Sequence, residues 1–284
     1  MEKRKIVKPK KKKPLLSIVV VSYQNAAILE LCLNSIIEEV NSLKKIIKAE
    51  SEVLVVDSGA IEKTRDVVKQ FILDQKPVKY FSFKKNTGFS KAVNKGIKES
   101  AGDFLLILNA DIILTKNSLG KMINYLKENS RVGILGPKLL NFDGSPQISA
   151  FHFYTPSIIL YRRTILGKTA WGKRKLQNFV IDFSAKKAPV SFDGWLMGSA
   201  LMLRRDNLEK IGSMDERYFM YFEDVDWCRR FREAGFEIVY FPLSALFHYH
   251  GKQSATRHFW DAFLNPMTLV HIQSAFKYFW KFRK

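Results

Sequence analysis

The chain has 284 residues, and its 47 Lys and Arg residues outnumber its 27 Asp and Glu residues, giving a formal net charge of +20. Hydrophobic residues make up 46% and charged residues 26% of the sequence, which is typical of a packed globular protein and excludes a wholly disordered chain. With two cysteines, a disulfide framework or cysteine-based zinc site is excluded, so we expect a reducing, cytoplasmic setting. No apolar run approaches the roughly 18 to 20 residues of a membrane-spanning helix.

The first half of the sequence alternates short apolar runs with longer amphipathic segments. The predicted strands cover residues 15–23, 52–56, 78–83 and 104–108, and the helices that follow them cover residues 26–47, 61–73, 88–100 and 116–129. Continuous apolar strands interleaved with helices indicate an α/β protein whose parallel sheet is covered on both faces. Right-handed crossovers place the loops after these strands at one edge of the sheet, where ligands of such proteins bind.

Polar residues follow all four predicted strands and are therefore expected to meet at that edge. They are Ser22, Tyr23, Asn25, Asp57, Ser58, Asn86, Gly88, Asn109 and Asp111. No Gly-x-Gly-x-x-Gly motif follows the first strand and no Gly-x-x-x-x-Gly-Lys-[Ser/Thr] motif occurs, which argues against a dinucleotide-binding domain and a P-loop. Asp111 ends an apolar strand, where it either caps the next segment or holds a divalent cation with a substrate diphosphate.

The second half has a less regular pattern. Residues 141–189 mix aromatic and basic side chains, and we expect an irregular, mobile segment that faces an anionic substrate, a membrane or simply solvent. A strand over residues 193–203 and a short helix over 206–211 come next. Another helix is predicted from Glu223 and Asp224 to about residue 234, because negative charge is favoured at a helix N-terminus. Asp226 and Arg230 are spaced to pair on it, and a strand over 236–242 follows.

Both ends of the chain are basic. Residues 1–14 contain eight Lys or Arg residues and one acid, which is typical of a flexible tail. From Pro266 the sequence predicts a helix with an aromatic face. That face contains Leu269, Ile272, Phe276, Phe279 and Trp280. Such a helix either lies in a membrane interface or packs on the domain as a closing helix, whereas specific nucleic-acid binding is disfavoured because no recognisable binding module accompanies the charge.

Seven short motifs occur in order between residues 15 and 251. They are Val-Val-Ser-Tyr-Gln-Asn at 20–25, Val-Val-Asp at 55–57, Asn-Thr-Gly-Phe-Ser-Lys-Ala-Val-Asn-Lys-Gly at 86–96, Asn-Ala-Asp at 109–111, Gly-Ser-Ala at 198–200, Met-Asp-Glu-Arg-Tyr-Phe-Met-Tyr-Phe-Glu-Asp-Val-Asp at 214–226 and His-Tyr-His-Gly at 248–251. In this order and spacing they resemble the family 2 glycosyltransferases, and among them the rhamnosyltransferase-like branch that builds bacterial surface polysaccharides.

The resemblance implies an α/β GT-A fold, with a mostly parallel central sheet flanked by helices, and inverting transfer from a nucleotide-diphospho-sugar. It implies a nucleotide-sugar site formed by Ser22, Tyr23, Asn25, Asp57, Asn86, Gly88 and Asn109. It further implies Asp224 as the general base beside Glu223, and Mg²⁺ or Mn²⁺ at Asp111 with His248 or His250.

The sequence departs from the family pattern at two points. Ser58 follows Asp57 where the family usually has Asn, which removes one expected base or ribose contact, and Ala110 replaces the more usual proline. The Gln-x-x-Arg-Trp signature of processive members is absent, which argues against a polymerising synthase.

Three segments are therefore expected: a basic tail at residues 1–14, a GT-A domain at 15–251 and an aromatic, basic helical segment at 252–284. The expected reaction moves a sugar, such as rhamnose, to a hydroxyl of a glycan or lipid-linked glycan during cell-surface polysaccharide synthesis. Another donor, such as UDP-glucose, UDP-galactose or UDP-N-acetylglucosamine, remains open, as does a non-catalytic basic protein that binds lipid or nucleic acid. The basic ends suggest a cytoplasmic protein held peripherally at an anionic inner membrane face.

Overall fold

The computed structural model describes residues 13–249 and 266–283 and contains a central ten-stranded sheet. The strands, including those of a smaller second sheet, are β1 (Leu16–Ser22), β2 (Ser51–Ser58), β3 (Val78–Phe83), β4 (Phe104–Asn109), β5 (Ile112–Ile113), β6 (Val132–Leu140), β7 (Pro146–Gln147), β8 (Ala150–Phe151), β9 (Val180–Ile181), β10 (Val190–Phe192), β11 (Trp195–Leu196), β12 (Ala200–Arg204) and β13 (Glu237–His248). His250 and most of the predicted basic tail lie outside the described residues.

The main sheet has the strand order β10-β13-β6-β12-β4-β1-β2-β3, and β5 and β7 pair with β13 and β6. Strands β4, β1, β2 and β3 run parallel, and β13 runs parallel to β6. Strands β12 and β10 are antiparallel to their neighbours. The sheet is therefore mostly parallel, as the sequence predicts. A separate small sheet joins β11, β8 and β9.

Helices cover both faces of the main sheet. The α-helices are α1 (Ala26–Ile47), α2 (Glu62–Leu73), α3 (Phe89–Glu99), α4 (Ser118–Glu128), α5 (Pro156–Arg163), α6 (Ala170–Phe179), α7 (Arg205–Ile211), α8 (Glu223–Glu233) and α9 (Pro266–Lys281). Side chains of α1, α2 and α4 form one core with Ile18 and Val20, whereas those of α3, α7, α8 and α9 form a second core with Val19. Successive β1 side chains thus enter opposite cores, which explains its unbroken apolar sequence.

The expectation of an irregular segment over residues 141–189 is wrong. Helix α5, a 3-10 turn at Ile165–Lys168 and helix α6 lie there. Their buried residues Ile158 and Phe179 pack in one core with Tyr154 and Trp195. The mixed sequence pattern hid these helices because only a few of their side chains face the core, while most remain exposed.

Strand β6 was not predicted, and the strand predicted over residues 193–203 is interrupted. Gly133 and Gly136 weaken the strand pattern of β6, but close packing explains both of them. A Cβ at Gly133 would lie 2.7 Å from the Phe236 Cβ, and one at Gly136 would lie 2.9 Å from the Leu196 Cδ1.

The interruption between β11 and β12 falls at residues 197–199, which turn toward the edge of the sheet.

Helix α9 packs on the domain, but of the face that the sequence predicts only Phe279 packs against the core. Its buried side includes Thr268, His271, Ala275 and Tyr278. Leu269, Phe276 and Trp280, which belong to the predicted apolar face, are exposed instead. No helix in the described part of the chain is long and apolar enough to cross a membrane.

A buried ion cluster joins α8 to α9. Asp226 is fully buried and accepts hydrogen bonds from the Arg230 Nε at 2.8 Å and the Lys281 Nζ at 2.5 Å. The Lys281 Nζ also contacts the Asp215 Oδ2 at 2.8 Å. The predicted pairing of Asp226 with Arg230 is confirmed, and Lys281 adds a link between the two helices that their separation in sequence did not reveal.

We expect Asp226→Ala to lower the free energy of unfolding by about 3–5 kcal/mol, because it leaves the charges of Arg230 and Lys281 without their buried partner. Urea denaturation followed by circular dichroism measures the change. Glu233→Ala is the matched control: it removes a carboxylate from the same helix that pairs with Arg229 at the surface, and it should cost less than about 1 kcal/mol. Equal unfolding midpoints for the two variants would contradict this assignment.

Candidate active site

An open cavity of about 350 Å³ lies at the edge of the main sheet where β1 and β4 end. Residues from four separate parts of the chain meet there. Its predicted site residues are Asn25, Asn109, Asp111, Glu223, Asp224 and His248. The sheet brings them together because β1 and β4 end at the same edge, α8 begins there, and β13 ends there beside β5.

The other predicted nucleotide-site residues lie at the ends of neighbouring strands. Ser22 is paired with Asp57 in the register of β1 and β2. The Ser58 Oγ donates to the Asn86 Oδ1 at 3.1 Å. The Asn86 Oδ1 also accepts the Gly88 N–H at 3.0 Å. These hydrogen bonds join the loops after β2 and β3 beside the cavity. Ser58, which departs from the family pattern, therefore shapes this loop pair.

Gly88 is required by the backbone around it. Its φ of +82° lies in the region that favours glycine, and a Cβ there would overlap the carbonyl of Phe219. The next residue, Phe89, donates its N–H to the Phe219 oxygen at 2.9 Å. The start of α3 is thereby fastened to the loop that precedes Glu223, and this contact helps to form the wall of the cavity.

Glu223 and Asp224 enter the cavity from a constrained turn. Tyr221 and Phe222, the two residues before them, have positive φ angles of 67° and 69°. The Asp224 Oδ2 accepts the N–H of Gly198 at 3.0 Å, and its Oδ1 accepts that of Val225 at 2.9 Å. A side chain at position 198 would crowd this carboxylate, so the glycine there lets its N–H approach.

The two adjacent carboxyls are in different electrostatic states. Burial raises the pKa of Asp224 to about 6, although the N–H groups of Gly198 and Val225 favour its ionised form. Burial, together with the charge of Asp224, raises the pKa of Glu223 well above its usual value. Glu223 is therefore the harder of the two to ionise, whereas Asp224, whose ionised form receives two N–H groups, is the carboxylate better placed to accept a proton.

Asp111 and His248 face each other on another wall of the cavity. The Asp111 Oδ1 is buried, lies 3.6 Å from the His248 Nε2 and has no hydrogen-bond partner among residues 13–249 and 266–283. Burial raises the pKa of Asp111 to about 6. A cation at this oxygen would relieve the cost of burying the carboxylate without a donor.

Gln147 sets the tautomer of His248, and no local sequence pattern indicates this role. Its amide nitrogen donates to the Asn141 Oδ1 at 2.6 Å and to the His248 carbonyl at 2.9 Å. Its amide oxygen therefore faces the His248 Nδ1, 2.8 Å away, and that nitrogen must carry the proton. In the neutral ring this leaves Nε2, on the side of Asp111, unprotonated, as a metal ligand requires.

Asp111 and His248 have side chains of the kind that hold a divalent ion. Asp111 supplies a carboxylate and His248 an imidazole, and both are suitable ligands for Mn²⁺ or Mg²⁺. Among the described residues, no group of three or more His, Cys, Asp or Glu side chains is placed to hold a metal ion. His250, the alternative ligand, is outside the described residues.

Sequence comparisons identify the family. The model described as Glycosyl transferase family 2 matches residues 17–187. The N-acetylglucosaminyl-diphospho-decaprenol L-rhamnosyltransferase of Mycobacterium tuberculosis is 31% identical over 69% of this chain and 66% of its own length. The hexosyltransferase Agl10 of Haloferax volcanii is 25% identical over 78% of this chain and 63% of its own length. The rhamnosyltransferase WbbL of Escherichia coli is 23% identical over 70% of each chain. The chain thus covers less than two thirds of the first two relatives.

Solved structures of low sequence identity share the fold. The mannosyltransferase PcManGT of Pyrobaculum calidifontis, solved with GDP-Man and Mn²⁺, aligns with a TM-score of 0.58 and 16% identity over 94% of this chain and 65% of its own. GalNAc-T7, solved with UDP, GalNAc and Mn²⁺, aligns with a TM-score of 0.60 and 15% identity over 86% of this chain and 45% of its own. These proteins have the GT-A fold, which confirms the predicted fold class.

We expect the carboxyls of Asp111 and Asp224 to titrate with midpoints near pH 6, because burial disfavours their charged forms. Carboxyl ¹³C shifts of Asp-labelled protein measure this, with signals assigned from Asp111→Asn and Asp224→Asn. Asp143 and Asp182 are internal controls, since hydrogen bonds from neighbouring serines lower their pKa below the usual 3.8. If all four signals moved together below pH 4, the burial argument would be wrong.

Proposed function

Because the chain belongs to glycosyl transferase family 2, we propose that it moves a sugar from a nucleotide-diphospho-sugar to an acceptor hydroxyl, with inversion and with the help of Mg²⁺ or Mn²⁺. One observation carries the proposal. Asp224, a carboxylate able to accept a proton, lines the same cavity as the Asp111 and His248 pair. A base and a cation site in one cavity are what a single displacement at a sugar carbon needs.

On the donor side, the loops after β1, β2 and β3 would hold the nucleotide. Tyr23 and Asn25 follow β1, Asp57 is the next-to-last residue of β2, and Asn86 and Gly88 precede α3. Ser22 and Asn109 would complete this pocket beside them. Bound at Asp111 and His248, Mg²⁺ or Mn²⁺ would offset the negative charge that develops on the leaving diphosphate.

On the acceptor side, Asp224 would take the proton of the attacking hydroxyl. The N–H of Gly198 fixes one of its carboxylate oxygens, so that the carboxylate keeps its orientation while the proton moves. A single base and a single displacement invert the configuration without a covalent sugar–enzyme intermediate. Below about pH 6 the rate should fall, because protonated Asp224 cannot act as a base.

The names of the relatives support a donor and an acceptor class. Two of the relatives are named as rhamnosyltransferases, and the mycobacterial name specifies a decaprenol diphosphate carrying N-acetylglucosamine. We therefore propose rhamnose as the sugar and a glycan or lipid-linked glycan in surface polysaccharide synthesis as the acceptor. A thermal-shift screen with Mn²⁺ tests this: a larger shift with UDP-glucose, UDP-galactose or UDP-N-acetylglucosamine than with a nucleotide-diphospho-rhamnose would reassign the donor.

The proposed location is cytoplasmic and peripheral, at the inner face of the plasma membrane. A lipid-linked acceptor would be embedded in that membrane, and a net charge of +20 favours association with anionic lipid. Specific nucleic-acid binding is not part of the proposal, since the buried carboxylates of the cavity repel phosphate unless a cation intervenes.

We expect Asp224→Asn to lower the turnover number by about 10²- to 10⁴-fold while nucleotide affinity stays unchanged, because the amide keeps the shape but cannot accept the proton. Release of the nucleoside diphosphate with acceptor present, and calorimetric titration with the nucleotide, measure the two quantities. Asp206→Asn, an identical change at an exposed position of α7, is the control and should leave both unchanged. Parental turnover in Asp224→Asn would remove Asp224 from the mechanism.

We expect Asp111→Asn to abolish Mn²⁺ binding in the presence of a nucleoside diphosphate, and Gln147→Leu to weaken it by about 10- to 100-fold. The first variant removes a ligand. The second removes the amide oxygen that accepts the Nδ1 proton of His248, so that the Nε2 is no longer kept unprotonated. Electron paramagnetic resonance of free Mn²⁺ measures both effects without catalysis. Gln177→Leu, at an exposed position of α6, is the control. If Asp111→Asn kept the parental Mn²⁺ affinity, the ion would bind at another site. If Gln147→Leu kept it, the Gln147 amide would have no role in metal binding.

A further inference from the structure

Helix α9 exposes a row of residues on the side away from the domain, and three of them are large and apolar. Leu269, Gln273, Phe276, Trp280 and Arg283 are exposed and lie four, three, four and three residues apart, so they form one stripe along the helix and the residues that follow it. Leu269, Phe276 and Trp280 have 51%, 74% and 61% of their surface exposed. A helix that only closed the domain would be expected to place polar residues on this side.

The neighbouring segment has the same character. Leu160 on α5, Ile165 and Leu166 in the 3-10 turn and Trp171 on α6 are also exposed, Trp171 by 61%. Among the tryptophans that the structure describes, Trp171 and Trp280 are the exposed ones. Both have a cation over the ring: Lys175 lies 5.6 Å from the centroid of Trp171 and Arg283 lies 3.4 Å from that of Trp280.

The two segments are adjacent and share one sign of charge. Helix α5 packs against α9, with Ile158 of α5 and Ala275 and Tyr278 of α9 in the same core. Residues 144–181 contain six Lys or Arg residues and no acid. Residues 262–284 contain four and no acid, and one of these four, Lys281, is paired with Asp215 and Asp226. Exposed aromatic side chains with surrounding cations are typical of protein surfaces that enter the headgroup region of a membrane.

Helix α9 also supports the acceptor side of the cavity. The Ser274 Oγ donates to the carbonyl of Met220 at 2.9 Å, and the His271 ring centroid lies 5.2 Å from that of Tyr221. Met220 and Tyr221 line the cavity and lie just before Glu223 and Asp224. The exposed stripe is therefore on the outer side of a helix whose inner side contacts the cavity wall.

We infer that α5, the 3-10 turn, α6 and α9 together form a lipid-docking surface that binds an anionic bilayer. The charge favours a bilayer over a second copy of the chain, because two such surfaces facing each other would bring together many cations and no acids. The surface rests on the proposed function in one respect only: the cavity wall beside it would then receive the hydroxyl of an acceptor anchored in the same membrane.

Vesicle co-sedimentation of the full chain tests the inference, with phosphatidylcholine vesicles compared with vesicles containing about one third phosphatidylglycerol. The test variant is Trp171→Ser, Phe276→Ser and Trp280→Ser combined. The control combines Leu31→Ser, Ile72→Ser and Leu73→Ser, which remove exposed apolar side chains from α1 and α2. We expect the parent and the control to bind anionic vesicles, less strongly at high salt, and the test variant to lose binding at least tenfold.

Each other outcome overturns the inference. Parental binding by the test variant would assign membrane attachment to other residues, and absence of parental binding to anionic vesicles would exclude the surface altogether. If light scattering showed a parental dimer that the test variant dissociates, the occupant would be a second copy. Circular dichroism and Mn²⁺ binding with a nucleoside diphosphate, measured on the same variant, establish that it folds. These readouts are independent of Asp224, so failure of the docking inference and failure of the proposed reaction are distinguishable.

Discussion

Burial of carboxyl groups at the edge of an apolar sheet governs the chemistry of this protein. Asp111, Glu223 and Asp224 lie where the surroundings disfavour charge, so their pKa values rise. The surroundings of the three differ. Asp224 receives backbone N–H groups, Glu223 lies beside the charge of Asp224, and Asp111 has an unpaired oxygen near His248. Under the proposed function, the carboxyl in one wall of the cavity would accept a proton and the carboxyl in another would hold a cation.

The turn that presents Glu223 and Asp224 is held from three directions. The start of α3 binds it through Phe89 and Phe219, α9 binds it through Ser274 and Met220, and the buried Asp226 ties α8 to Lys281. Consecutive positive φ angles are costly, and such a turn persists only where its surroundings determine it. Helix α9 is therefore part of the framework of the site, although it lies at the far end of the sequence.

This arrangement relates the proposed membrane attachment to the proposed reaction. The inner side of α9 contacts the cavity wall at Met220 and Tyr221, and its outer side exposes Phe276 and Trp280. A helix with these two sides would hold the cavity close to the bilayer surface. The cavity would then lie within a short distance of a membrane-anchored acceptor. The basic, acid-free composition of the segments around it is consistent with that orientation.

Local sequence patterns predicted the regular elements of the first half of the chain, and the ordered family motifs predicted the site residues. The apolar runs of β1 to β4 and the periodicity of α1 to α4 set those elements nearly residue by residue, and the polar residues at the strand ends marked the edge at which the cavity lies. Only the tertiary structure decided which side of α9 packs, that residues 156–179 form helices, and that Gln147 orients His248. The reason is physical: these features depend on contacts between segments far apart in the chain, such as Gln147 with His248 or Lys281 with Asp226, and no local period or spacing encodes them.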